Sequence, residues 1–183
     1  YLLVTLTWII FSFFGALPFY ISGYVPSFTN AYFETMSGFT TTGASVIDDV
    51  EALPHGLLFW RSMTQWIGGL GIAFFTIAIL PSLVGGSVKV FSAEAKMHPR
   101  LSSNAKYIWM VYLLLTAGCA VCFYLGGMSI FDCINYAMGI TATGGFTPHN
   151  DSSGYFNSAA IDYTSIVFMF LSGVNFTLLY ISV

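Results

Sequence analysis

Four stretches of this 183-residue chain, 1–33, 62–88, 107–131 and 163–183, contain no Asp, Glu, Lys or Arg. A helix crossing the hydrocarbon core of a bilayer needs about 20 apolar residues. Each stretch can therefore hold one span. The chain as a whole agrees, with 56% hydrophobic and only 7% charged residues, far from the balance of a soluble domain. The first stretch exceeds one span, and Pro18, Gly23 and Pro26 are expected to break it after Tyr20. Spans are predicted at about 2–21, 56–80, 105–125 and 162–183.

Orientation follows from the basic residues. Lys89, Lys96, Arg100 and Lys106, with Glu94, fall in the connection joining the second and third spans, which is expected to be cytoplasmic. Asp48, Asp49, Glu51, Asp132 and Asp151 then face the other side, with Asp162 at its edge and Tyr20, Tyr24 and Tyr124 at interface depth.

This topology leaves two connections, about 22–55 and 126–161, that leave and return on the outer face. Each opens with a segment suited to a helix of about three turns, "SFTNAYFETMSGF" and "SIFDCINYAMGI", too short to span. A short helix followed by a return segment is a re-entrant loop. Lipid does not tolerate such backbone unless protein buries it or water bathes it, so a polar cavity or pore is expected between the helices.

The two halves also resemble each other. A shift of 102 residues superposes Ser27 on Ser129, Met36 on Met138, Thr41 on Thr143, Gly43 on Gly145, Gly71 on Gly173 and Phe74 on Phe176. A shift of 104 superposes Tyr20 on Tyr124 and Gly23 on Gly127. Matches at equivalent topological positions indicate duplication of a unit: membrane helix, pore helix with loop, membrane helix. The expected fold is an all-α membrane protein of two such repeats, 1–82 and 105–183, joined by the basic loop 83–104.

An ion entering a pore must exchange its water for oxygens. Backbone carbonyls, helped by threonine hydroxyls, supply them without a fixed charge that would trap the ion. A central glycine permits the backbone angles this requires. On that reading "TTTGA" at 40–44 and "ATGGF" at 142–146 are two walls of one filter, with Thr40, Thr41, Thr42, Gly43, Ala142, Thr143, Gly144 and Gly145 as the ion-binding residues.

At "FETMSGFTTTGASV" (33–46), "LPHGLLFWRSMTQWIGGLGI" (53–72) and "ATGGFTPHNDSSGYF" (142–156) the sequence resembles the Trk/Ktr/HKT potassium transporter superfamily, most closely its bacterial TrkH branch. The resemblance implies four repeats around a pseudo-fourfold pore, with Gly43 and Gly145 as filter glycines and Thr41, Thr42, Thr143 and Gly144 as neighbouring carbonyl donors. Serine at the first filter glycine accompanies sodium preference in such proteins, so Gly43 implies potassium, with rubidium or less favoured sodium as further ions. It implies further a pore subunit for potassium uptake in the inner or plasma membrane and a homodimer of the full-length protein. A cytosolic, nucleotide-binding regulator of the TrkA type would dock on the basic loop. With two repeats present, the chain is read as a fragment whose parent supplies the remaining two. No cofactor, structural metal or nucleic-acid partner is expected.

Other features have plainer readings. Glu34 and Arg61 are expected to pair behind the filter and hold its shape, against the alternative that Arg61 snorkels beside Trp60 while Glu34 faces water. "GGLG" at 68–71 lacks the strand and the charged residues of a phosphate cradle, so its role is close helix packing, with Gly71 and Gly173 expected to pack the span against the pore helix or against a neighbouring repeat. Cys119, Cys122 and Cys133 are expected to be buried thiols, and His55, His98 and His149 are too scattered for one metal site. G-x-S-x-G, H-E-x-x-H and an intramembrane aspartate pair are absent, which leaves no enzyme reading. The rivals to a pore are a structural or regulatory membrane subunit and a broken-helix transporter of another solute.

Overall fold

The computed structural model describes residues 2–84 and 101–174. Its elements are α1 (Leu2–Ile21), α2 (Phe28–Phe39), α3 (His55–Val84), α4 (Leu101–Leu125), α5 (Ile130–Thr141), a 3₁₀ turn (Ser152–Phe156) and α6 (Ala159–Gly173). The greater part of the basic loop, His98 with it, and the chain beyond 174 lie outside the described residues.

Four long and two short helices alternate as the duplicated unit requires. The short ones start alike: the Ser27 hydroxyl accepts the Asn30 N–H at 3.4 Å, and the Ser129 hydroxyl accepts the Asp132 N–H at 3.1 Å, each satisfying one of the free donors of a first turn. The long helices turn into them through Gly23 (φ 77°) and Gly127 (φ 95°), positive angles that a side chain would resist. The first break falls where expected: α1 covers 2–21 and ends just before Gly23. Pro18 lies inside α1, because proline removes one helical hydrogen bond and a membrane helix tolerates that loss where neighbours pack against it. The third span starts at Leu101 rather than near 105.

Packing follows the repeats. α1 lies on α2, and α4 on α5, while α3 touches both short helices and thereby joins the halves. One buried cluster, including Ala16, Phe19, Ala31, Val50, Leu57 and Leu58, fills the first unit. A second, including Cys119, Phe123, Tyr136, Ala137, Ile140 and Ile161, fills the other. Outside them, α1, α4 and α6 expose Phe14, Leu114, Val121, Ile166 and Phe170, a surface suited to acyl chains rather than water. Among the described residues one window, Ile108–Leu125, is long and apolar enough to cross a membrane unaided, and Thr5–Ile21 and Ala159–Gly173 are shorter apolar stretches.

Candidate functional site

The two short helices end in the same hydrogen-bonded turn. Thr41 and Thr42 donate their N–H groups to the carbonyls of Gly38 and Ser37, both at 2.9 Å. Thr143 and Gly144 donate to Ile140 and Gly139 at 2.9 and 3.0 Å. This is the Schellman pattern, whose left-handed residue is ordinarily glycine. Here that residue is threonine, Thr41 at φ 53° and Thr143 at φ 54°, a conformation that costs a β-branched residue on the order of 1–3 kcal/mol. Gly43 (φ 77°) and Gly145 (φ 82°) follow at equal distance.

These turns leave acceptors without donors. Among the described residues, the carbonyls of 40–43 and 142–145 accept no hydrogen bond. Free carbonyls beside a buried segment are costly unless something else binds them. The loops also meet each other, since a Cβ on Gly43 would run into the carbonyl oxygen of Gly144. Thr42, Thr143 and Gly145 are exposed, Thr40, Thr41 and Gly43 half-buried, and Ala142 and Gly144 buried. Thr40 and Thr42 share a hydroxyl contact of 2.8 Å, and Thr40 donates to the Met36 carbonyl at 2.7 Å.

Glu34 and Arg61 meet behind these loops. Arg61 Nε lies 2.6 Å from Glu34 Oε1, with side chains 5% and 0% exposed, so neither reaches water. The Glu34 carboxylate also accepts from the Ser45 hydroxyl at 3.0 Å and the Val46 N–H at 3.1 Å. Arg61 donates through Nη1 to the Thr147 carbonyl at 2.9 Å, and its guanidinium stands 3.7 Å over the Phe146 ring. One ion pair thus holds the segments that follow both glycines. Ser45, Phe146, Thr147 and above all Gln65 were not anticipated. Gln65 accepts the Phe146 N–H at 2.9 Å; the available signal was a polar side chain one turn from Arg61 in a run free of charge.

Beyond the ion pair, Glu51, Asp132, His55 and His149 line a cavity of about 270 Å³. His149 lies 3.2 Å from both Glu51 and Asp132 and stacks on Tyr155, whereas His55 stacks on Phe131. Two expectations need correction. Cys122 is exposed, unlike Cys119 and Cys133, because it faces away from the second core. The close glycines of "GGLG" are Gly68, where a Cβ would strike the Phe39 carbonyl, and Gly69, against Tyr112 and Ala142. Gly71 has only an ordinary contact with Trp8, and among the described residues nothing stands within 4 Å of a Cβ on Gly173, which leaves its packing against a neighbouring repeat untested.

The fold and the paired loops define an all-helical membrane protein of duplicated helix–pore helix–helix units. The chain belongs to the TrkH family, described as cation transport proteins, whose family model matches residues 1–183. It is 44% identical over 186 residues to the Trk system potassium uptake protein TrkH of Vibrio parahaemolyticus, covering 97% of this chain and 38% of that protein. It is 40% identical over 189 residues to TrkG of Escherichia coli, covering 99% and 39%. The crystal structure of the potassium transporter TrkH from Vibrio parahaemolyticus superposes with a TM-score of 0.86 at 44% identity, over 98% of this chain and 36% of that one. The chain therefore spans about 38% of the length of the curated relatives it matches.

Proposed function

We propose that this chain supplies two walls of a carbonyl-lined potassium filter in the pore subunit of a Trk-type uptake system. The observation that carries the reading is the repeated turn after α2 and α5: the same strained threonine, the same positive-φ glycine, and carbonyls free of hydrogen bonds on two loops in contact. Potassium gives up water to the carbonyls of 40–43 and 142–145. Two further repeats of a longer protein complete the ring, and the full-length protein is a homodimer in the inner or plasma membrane. The filter faces outward, and the basic loop 83–104 faces the cytoplasm as the docking segment for a TrkA-type regulator.

Rubidium uptake by potassium-uptake-deficient cells carrying the full-length protein tests this reading. Gly145→Asp places a side chain at φ 82° and a carboxylate among cation-binding carbonyls. The expected result is loss of uptake, or of preference over sodium, at an unchanged amount of protein in the membrane. Unchanged potassium-over-sodium preference in both Gly145→Asp and Gly43→Asp would overturn the filter assignment.

A further inference from the structure

Gln65 is the fully buried polar side chain between the two loops, with 0% exposure. Its two ends differ. Oε1 takes the Phe146 N–H at 2.9 Å, and because only the oxygen can accept, this contact fixes which way round the amide lies. Nε2 is buried and, among the described residues, has no hydrogen-bond partner. A buried N–H donor without a partner carries a desolvation cost. It needs a reason to be there.

Its surroundings supply one. A Cβ on Gly144 would strike the Gln65 amide, and the position a Cβ would take on Gly43 lies 3.8 Å from Nε2. The amide therefore occupies the junction where the Gly144 carbonyl of the second loop meets Gly43 of the first. On Gly139, whose carbonyl closes the turn after α5, a Cβ would strike the Phe146 carbonyl at 2.6 Å and stand 3.6 Å from Oε1. Gln65 sits on α3, in the first repeat, and touches the filter segment of the second. The position 102 residues on is Val167, which is exposed and apolar, so this device belongs to one junction and is not a copy of the repeat.

We infer that Gln65 is a positioning and specificity-determining residue of the filter. It anchors the second loop through Phe146, and it wedges a planar amide with a free donor between the two walls. The inference rests on the filter reading above. A filter discriminates against the smaller sodium ion only while its carbonyls are kept from closing around it, whether by geometry or by the number of oxygens offered. An amide filling the junction opposes that closure by its bulk.

The test is rubidium uptake with graded sodium competition in the full-length protein, comparing wild type with Gln65→Leu, Gln65→Glu and Gly145→Asp at measured amounts of membrane protein. Gln65→Leu removes both the anchor and the donor. Gln65→Glu keeps an acceptor for Phe146 at nearly the same volume and removes the amide donor. The expected result is an about three- to tenfold loss of preference for rubidium over sodium in Gln65→Leu, the equivalent of one hydrogen bond. A smaller loss is expected in Gln65→Glu, with uptake itself persisting in both. Wild-type preference in Gln65→Leu, with the protein present and Gly145→Asp inactive, would overturn the inference and leave the filter standing. If Gln65→Leu does not reach the membrane, Gln65→Glu decides: reduced preference supports the inference, and wild-type preference overturns it. Wild-type behaviour in all three variants overturns the inference, and if Gly43→Asp is unchanged as well, the filter reading falls with it.

Discussion

At the scale of single residues, the Glu34–Arg61 pair shows how a charge is kept inside a membrane protein. Two opposite charges at 2.6 Å, nearly free of solvent, are tolerated because each also has neutral partners: Ser45 and Val46 for the carboxylate, Thr147 and the Phe146 ring for the guanidinium. Removing one partner leaves the other charge buried and uncompensated, a loss of about 3–5 kcal/mol, whereas replacing both by apolar groups costs far less. Arg61→Met is therefore expected to lower the unfolding temperature of the purified full-length protein sharply, and Glu34→Gln combined with Arg61→Met to recover most of the loss. Equal unfolding temperatures for the single and double variants would show that the pair contributes nothing. The pair was legible in the sequence because charges are so rare there that each needs an explanation. The threonines at positive φ were not, since nothing in a Thr-Thr-Thr-Gly string says which residue takes the left-handed angle until the hydrogen bonds of the turn assign it.

At the scale of elements, both short helices were legible to within a residue of their ends. Ser27 and Ser129 announce the starts, and the change from helical spacing to Thr and Gly announces the stops. The packing role of the glycines on α3 was less legible. The 102-residue shift drew attention to Gly71, but a repeat marks common descent, whereas contact depends on where two helices come closest. That place is one turn earlier, where α2 ends with its Phe39 carbonyl against Gly68. Small residues at such crossings let backbones approach. Gly68→Ala is expected to push α2 from α3, disturb the turn held by the carbonyls of Gly38 and Ser37, and, on the proposed function, reduce rubidium uptake by the full-length protein at least severalfold. Gly71→Ala, with only Trp8 nearby at 3.5 Å, is expected to be nearly silent in the same assay. Equal effects at the two positions would place the helix crossing elsewhere.

At the scale of the whole molecule, the duplication was legible and the way its halves join was not. Related positions carry the unit: caps, turns and positive-φ glycines. The joint is made by residues without counterparts, because the contact between two copies does not have to repeat within either one. Arg61 and Gln65 reach from α3 to Thr147 and Phe146, while the positions 102 further on are Tyr163 and Val167, both exposed. Between the loops before α3 and after α5 a second joint is independent of α3. Asn150 accepts the Val50 N–H and donates to Asp49, both at 2.9 Å, while Glu51 meets His149. Asn150→Ala removes both Asn150 bonds, about 1–3 kcal/mol of local stability if each contributes as an ordinary hydrogen bond. Local openings draw on local stability alone. Amide hydrogen exchange is therefore expected to speed up about tenfold or more at Val50 and its neighbours. Phe146 and the turn at 142–145, held from α3 and α5, are expected to keep their protection. Loss of protection across 142–147 in that variant would mean that the two loops open together, and that the joints formed by Asn150 and by α3 are one cooperative unit rather than two.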